Sequence, residues 1–166
     1  MAEDRQVFTS AFWHSYQYIE PQALKPHFKT DQDVQNWLND AFTDEVDGLE
    51  NNFKLPPEQR HEFYVQAKYK GNVIGIIFFE SEKDKPNEVY IRQTAVSVDY
   101  QRADIGKHLV FSIIQDPDLL PQAKILHLVV RKRNVDGIKF YESVNQKQPI
   151  SSIGRNRSAK SLEKHL

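Results

Sequence analysis

The chain has 166 residues and not one cysteine. Disulfide bonds, thiolate metal sites and a cysteine nucleophile are thereby excluded. Its six histidines are scattered, with no His-x-x-x-His pair, so no metal is expected. There is no Gly-x-Ser-x-Gly elbow for a serine hydrolase. There is no Gly-x-x-x-x-Gly-Lys-Ser/Thr loop for a nucleoside triphosphate. Long hydrophobic runs are lacking too. The longest, Val73-Ile74-Gly75-Ile76-Ile77-Phe78-Phe79, falls far short of the ~20 residues that cross a membrane. The opening Met-Ala-Glu-Asp-Arg-Gln is acidic where a signal peptide begins basic and turns apolar. The sequence therefore reads as a cytoplasmic protein with no membrane partner.

What is present is ordinary globular composition, 39% hydrophobic and 27% charged. At roughly 100–200 residues per domain, residues 1–166 make one domain. A net charge of −1 conceals a gradient. Residues 1–63 hold 5 Lys and Arg against 12 Asp and Glu, whereas residues 124–166 hold 10 against 3. The first segment suits a cationic partner and the last an anionic one, unless the two neutralise each other across the fold. Arg131-Lys132-Arg133 and Arg155-Asn156-Arg157 offer charge for nucleic acid, but the isoelectric point near 6.6 lies well below the ~9 of such domains. Nucleic acid is not an expected partner.

Residues 8–20 place Phe8, Phe12, Tyr16 and Ile19 at helical spacing. Thr30 or Asp31 caps a second helix carrying Val34, Trp37, Leu38, Ala41 and Phe42, and a further turn covers Glu45 to Phe53. Pro56-Pro57 then breaks the chain. Glu62–Tyr69 and Val73–Glu80 read as a hairpin about Lys70-Gly71-Asn72. A polar loop is expected over 81–88, a strand over Val89–Val98, a helix over Ile105–Gln115, a strand over Lys124–Arg131 and a helix over Asn134–Gln146. Residues 149–165 read as two short strands. Strands alternate with helices only in the second half, so the sheet is expected to be mixed.

The stretch Val96-Ser97-Val98-Asp99-Tyr100-Gln101-Arg102-Ala103-Asp104-Ile105-Gly106-Lys107 takes the chain from a strand through a polar turn into a helix. A helix N-terminus presents unpaired N–H groups and partial positive charge, which suit a phosphate or pyrophosphate. Gln101-Arg102-Ala103-Asp104-Ile105-Gly106 occupies the frame Gln/Arg-x-x-Gly-x-Gly/Ala, after the small–aliphatic pair Ala95-Val96. About thirty residues on, Asn134 is followed by the small residue Gly137 and the pair Phe140-Tyr141. With both motifs in place over residues 62–146, the chain resembles the GNAT superfamily of N-acetyltransferases.

The resemblance implies an α/β fold: a mixed, mostly antiparallel, splayed sheet of about six to seven strands with about four helices. Residues 1–56 would be a helical acceptor-side segment, 62–146 the acetyl-CoA-binding core, and 147–166 short C-terminal strands. Acetyl-CoA would be the co-substrate, lying where the strands ending at Val98 and Arg131 separate. The backbone of Val96 and Val98 would pair with its pantetheine arm. The N–H groups of Arg102, Ala103, Asp104, Ile105, Gly106 and Lys107 would hold the pyrophosphate beside Gln101. Asn134 would bond the arm as well as cap its helix, and Tyr141 would protonate the departing thiolate.

The sequence departs from the family pattern at three places. Asp104 replaces the first glycine and sets a carboxylate beside the pyrophosphate, with Arg102 and Lys107 to offset it. Tyr90 stands where some members carry a basic glutamate; Glu88 is the nearest substitute, and His127 reads as a core or edge histidine. The tail lacks the family's Gly-Phe. Arg131, Lys132, Arg133, Lys139, Arg155 and Arg157 are candidates for the coenzyme's 3′-phosphate. The function implied is acetyl transfer to a primary amine by direct attack, the acidic segment pointing to a cationic small molecule or a protein amine. The alternative is a non-catalytic acyl-CoA-binding protein. An edge strand near the C-terminus offers pairing in a homodimer.

Overall fold

The computed structural model describes residues 2–19, 28–82, 84–115, 125–131, 134–147, 155–156 and 159–161. Two helices open the chain, α1 (Ala2–Ile19) and α2 (Asp31–Phe53). Strands β1 (Glu62–Tyr69), β2 (Asn72–Glu82) and β3 (Lys85–Val96) follow. Helix α3 (Ile105–Gln115), strand β4 (Ile125–Arg131) and helix α4 (Val135–Lys147) complete the main body. The short strands β5 (Arg155–Asn156) and β6 (Ala159–Ser161) close the order.

Local chemistry sets the boundaries. Thr30 caps α2 by accepting from the Asp33 N–H, and the Asp33 carboxylate accepts from the Thr30 N–H at 2.8 Å. This reciprocal box satisfies two otherwise orphan donors. Helix α2 then runs unbroken through Phe53, so the separate turn expected over Glu45–Phe53 is its last two turns. Its end is held by Asn52, which is buried. The Asn52 side chain donates to the Glu62 carbonyl at 2.7 Å and accepts from the N–H groups of His61 and Glu62. Between β1 and β2, Lys70 and Gly71 both take positive φ, as a two-residue hairpin turn of the right twist requires. Most of the described part of the polar loop expected over 81–88 is strand: β2 reaches Glu82 and β3 begins at Lys85, with a register shift between Ser81 and Glu82.

The sheet order is β1-β2-β3-β4-β6-β5. β1, β2 and β3 pair antiparallel, β3 and β4 parallel, and β4 and β6 antiparallel, so the sheet is mixed as expected. Side-chain alternation along β2 feeds two cores. Ile77 and Phe79 join Leu109, Val110, Ile113 and Val144 beneath α3 and α4. Ile76 and Phe78 join Val7, Phe8, Phe42 and Leu49 beneath α1 and α2. Among the described residues no helix is long and apolar enough to cross a membrane.

Candidate active site

β3 and β4 pair only from Glu88 opposite Ile125 to Ile91 opposite Leu128. Immediately beyond, β3 carries an extra residue: Ile91 faces Phe79 and Gln93 faces Phe78, leaving Arg92 as a bulge. A bulge bends its strand and increases the local twist. Past it, β3 stays with β2 as far as Val96, while Val129 to Arg131 of β4 pair with β6. A wedge therefore opens between β3 and β4, where Val129 is 70% exposed although it sits in an interior strand.

Arg92 is fixed from the side away from β4. Its guanidinium lies 3.2 Å from Glu45 of α2, 3.3 Å from Glu62 of β1 and 3.0 Å from Glu80 of β2. Burial raises the Glu45 carboxyl above its ordinary range, and Glu62 and Glu80 push the same way. The Arg92 charge and a hydrogen bond with Gln93 oppose them.

At the top of β3 the strand ends at Val96, two residues short of the expected Val98. The Ser97 N–H turns back to the Ile74 carbonyl at 2.9 Å, and Val98–Tyr100 form a single 3-10 turn. Val96 thus ends the strand, and Val98 lies in the turn. The Gln101 side-chain amide donates to the Val96 carbonyl at 3.2 Å. Arg102 and Asp104 both adopt left-handed backbone, with φ of 67° and 58°. Asp104, at the glycine position of the motif, thus adopts a left-handed backbone at the modest cost that aspartate incurs there. Its carbonyl accepts from the His108 N–H, which starts α3, and its carboxylate pairs with Lys107 at 2.8 Å. The following N–H groups, of Ile105, Gly106 and Lys107, belong to the first helical turn and have no intrahelical acceptor. Gly106 is buried, and a Cβ there would come within 3.0 Å of the Phe140 ring.

Helix α4 supplies the facing wall. Asn134 caps it, its side-chain oxygen accepting from the Gly137 N–H at 2.8 Å. A Cβ on Gly137 would fall 2.6 Å from the Asn134 amide nitrogen, so the small residue three on is a requirement of the cap. The cap uses the oxygen and not the NH2 group. Tyr141 donates from its hydroxyl to Thr94 Oγ1 at 3.1 Å. Burial pushes that hydroxyl above the usual tyrosine range, the Thr94 bond pulling slightly the other way. The close approach of Gly106 to Phe140 thus joins the two sequence motifs, and the Thr94–Tyr141 bond ties α4 to β3 on the same side of the sheet.

Other candidates are distributed differently. Glu88 is on β3 rather than in a loop, and on the face opposite Thr94, because Val89 and Ile91 belong to the α3–α4 core and the Arg92 bulge then resets the alternation. Its carboxylate accepts from the Tyr90 hydroxyl at 2.8 Å and lies 2.9 Å from His127 Nε2 and 3.5 Å from Lys85. The Tyr90 bond holds Glu88 below the usual carboxylate range, against the opposing effect of burial, with the Lys85 charge adding to the lowering. Lys139 is exposed on α4. The side chains of Arg131, Lys132, Arg133, Arg155 and Arg157 lie outside the described residues. Thr94 and the Arg92 cluster escaped sequence reasoning. For Thr94 one signal existed, a hydroxyl residue inside the β-rich run Val89–Val98; for the cluster there was none.

Comparison with known proteins agrees with this architecture. In fold the chain is similar to the PaiA N-acetyltransferase of Thermoplasma acidophilum in complex with coenzyme A, at 16% identity and a TM-score of 0.72, over 99% of this chain and 92% of that one. It is similar also to PH1933 of Pyrococcus horikoshii OT3, at 12% identity and a TM-score of 0.68, over 100% and 92%. A third likeness is the diaminobutyrate acetyltransferase EctA of Paenibacillus lautus, bound to L-2,4-diaminobutyric acid and coenzyme A. There the identity is 13% and the TM-score 0.55, over 61% of this chain and 69% of that one. No curated protein sequence matches the chain. Residues 31–145, well over half of the length, match the acetyltransferase (GNAT) family, and the chain belongs to that family of N-acetyltransferases.

Proposed function

We propose that the chain moves the acetyl group of acetyl-CoA to a primary amine by direct attack within a ternary complex. One observation carries this reading: the wedge between β3 and β4 leads to the first turn of α3, and the Tyr141 hydroxyl stands on its wall through Thr94. The unpaired N–H groups of Ile105, Gly106 and Lys107, with Arg102, Ala103 and Asp104 before them, receive the pyrophosphate. Lys107 neutralises the Asp104 carboxylate at 2.8 Å, so the acid does not oppose the phosphates at full strength. The Val96 carbonyl, now held by Gln101, is the acceptor offered to the pantetheine arm, and Asn134 retains an NH2 group for the same arm.

Rate enhancement comes mainly from holding thioester and amine together. The amine nitrogen attacks the carbonyl carbon, the C–N bond forms and the C–S bond breaks. The thiolate takes a proton from Tyr141, whose burial keeps that hydroxyl protonated until the sulfur departs. The negative charge of residues 1–63, a segment that includes α1 and α2, supports a cationic acceptor.

Calorimetric titration tests the coenzyme site. Acetyl-CoA and desulfo-CoA should bind with micromolar affinity and ATP should not. Tyr141→Phe should lower kcat by about 10²–10⁴-fold and leave acetyl-CoA affinity unchanged. Asp104 favours a second reading, a GNAT-fold protein that binds acyl-CoA without turnover. Binding with no transfer to any amine would select that reading.

A further inference from the structure

The sheet has two outer strands, β1 and β5, and the described part of β5 spans only two residues. β1 spans eight, and most of its outer edge is open. The Ser81 N–H donates to the His61 carbonyl. Odd residues of β1 therefore turn their backbone groups toward β2, and even residues turn theirs outward. Glu62 agrees: its N–H and carbonyl both bond the Asn52 side chain. The next outward residues are Tyr64, Gln66 and Lys68, and among the described residues none of their backbone groups has a partner. Such a row is a template for another strand. Neither a proline nor a bulge in β1 itself blunts it, since the extra residue at the Ala67–Lys68 shift, Ile74, belongs to β2.

We infer that a second copy of this chain adds to this edge, β1 against β1, antiparallel about a two-fold axis at Gln66. Asn52 selects that register. An axis at Val65 would set Glu62 opposite Lys68 and need the Glu62 groups that Asn52 already holds. An axis at Gln66 sets Tyr64 opposite Lys68 and Gln66 opposite Gln66, and uses each open N–H and carbonyl once. The side chains match as well. On the α3–α4 face, where Phe63, Val65 and Ala67 pack, Val65 meets Ala67 of the other copy and Phe63 meets Tyr69 of the other copy. The second contact covers a ring that is now 49% exposed. On the α1–α2 face Lys68 comes opposite Tyr64, whose hydroxyl sits on the Asp4 carboxylate, and Lys70 of the turn comes beside Glu62. The axis repeats every match, as an isologous interface requires.

Sedimentation equilibrium over a concentration series gives the first test. The mass should rise toward twice 19.4 kDa. Lys68→Pro removes an outward N–H from each copy without touching the β1–β2 ladder, and should weaken the dimer at least about 10-fold. If Lys68→Pro fails to fold, Lys70→Glu, which faces Glu62 of the other copy with a like charge, should weaken it instead. The register is tested by thiols, which the absence of cysteine makes unambiguous. Val65 and Ala67 of the other copy would form a non-hydrogen-bonded pair, close enough for a disulfide. Under oxidation Val65→Cys alone and Ala67→Cys alone should stay uncrosslinked, and a mixture of the two should crosslink. A monomer at every concentration, a dimer indifferent to these edge variants, or Val65→Cys that crosslinks with itself overturns the inference. Each of these leaves acetyl transfer standing, because β2 separates β1 from the β3 wall of the wedge.

Discussion

The two faces of the sheet are built on different principles. Among the described residues, the buried side chains beneath α3 and α4 are apolar, with the Tyr141 hydroxyl on Thr94 beside them. Beneath α1 and α2 an apolar core of similar character is ringed by buried or half-buried polar groups. Asp4 is 1% exposed and accepts from the Tyr64 hydroxyl and the Gln66 amide, Asn52 locks α2 to β1, and Arg92 gathers three glutamates. Apolar burial is forgiving of sequence as long as volume is kept. Buried polar groups are not, since each partner removed leaves another unpaired. The face proposed for the coenzyme thus rests on shape, and the face proposed for the acceptor on specific pairs.

The largest expected effect breaks that contrast on the acceptor face. Asp4→Ala should lower the stability by about 2–4 kcal/mol, since it leaves the Tyr64 hydroxyl and the Gln66 amide without their acceptor. Urea unfolding with an unchanged m-value would measure it. On the coenzyme face, Gly106→Val should cost about 1–3 kcal/mol by overpacking against Phe140. Unlike Asp4→Ala, it should also weaken acetyl-CoA binding, and titration of the two variants separates the faces.

The third prediction uses pH. Asp4 is itself pushed upward by burial, but its hydrogen bonds, those from Tyr64 and Gln66 among them, more than offset this and leave its carboxyl below the ordinary value. Asp33 is lowered too, chiefly by the Thr30 N–H and hydroxyl. A carboxyl lowered in the folded state contributes stability above its unfolded pKa and loses it as pH falls through the folded one. Stability should therefore drop below about pH 4, and Asp4→Asn should flatten that acid limb. The smallest effect is expected from Glu45→Gln. Glu45 stays raised by burial although the Arg92 charge opposes this, so its ionised form opposes folding at neutral pH. The variant should change the stability by no more than about 0.5 kcal/mol at pH 7, and a loss several times larger would show that the pairing dominates.

The same contrast explains what the sequence reveals. Gln101 to Gly106 and Asn134 to Tyr141 are short contiguous motifs whose spacing is dictated by one helix start each, and each lies at the start of a helix. The β1–β2 hairpin and helix α3 follow from local periodicity and turn chemistry. The acceptor face joins residues far apart in the chain. Asp4 meets Tyr64 sixty residues away, and Glu45 reaches Arg92 only because a bulge turns that side chain toward α2. Bulges leave no mark in a propensity pattern. The reach of β2 to Glu82 goes with a register shift between Ser81 and Glu82, and β3 ends at Val96 because the Ser97 N–H turns back to the Ile74 carbonyl; neither has a signature in local propensity.

The Asn52 lock also bears on the order in which the protein assembles. It closes a loop of ten residues, whereas the bonds of Asp4 to β1 close one of about sixty. Chain entropy makes the longer closure dearer by about 1.6 kcal/mol. The corner between α2 and β1 is thus expected to form early and α1 to dock late. The element that docks last is the one that opens most readily. Amide exchange should find α1 less protected than α2, and such opening would uncover the sheet face proposed for the acceptor while β3, α3 and α4 remain folded.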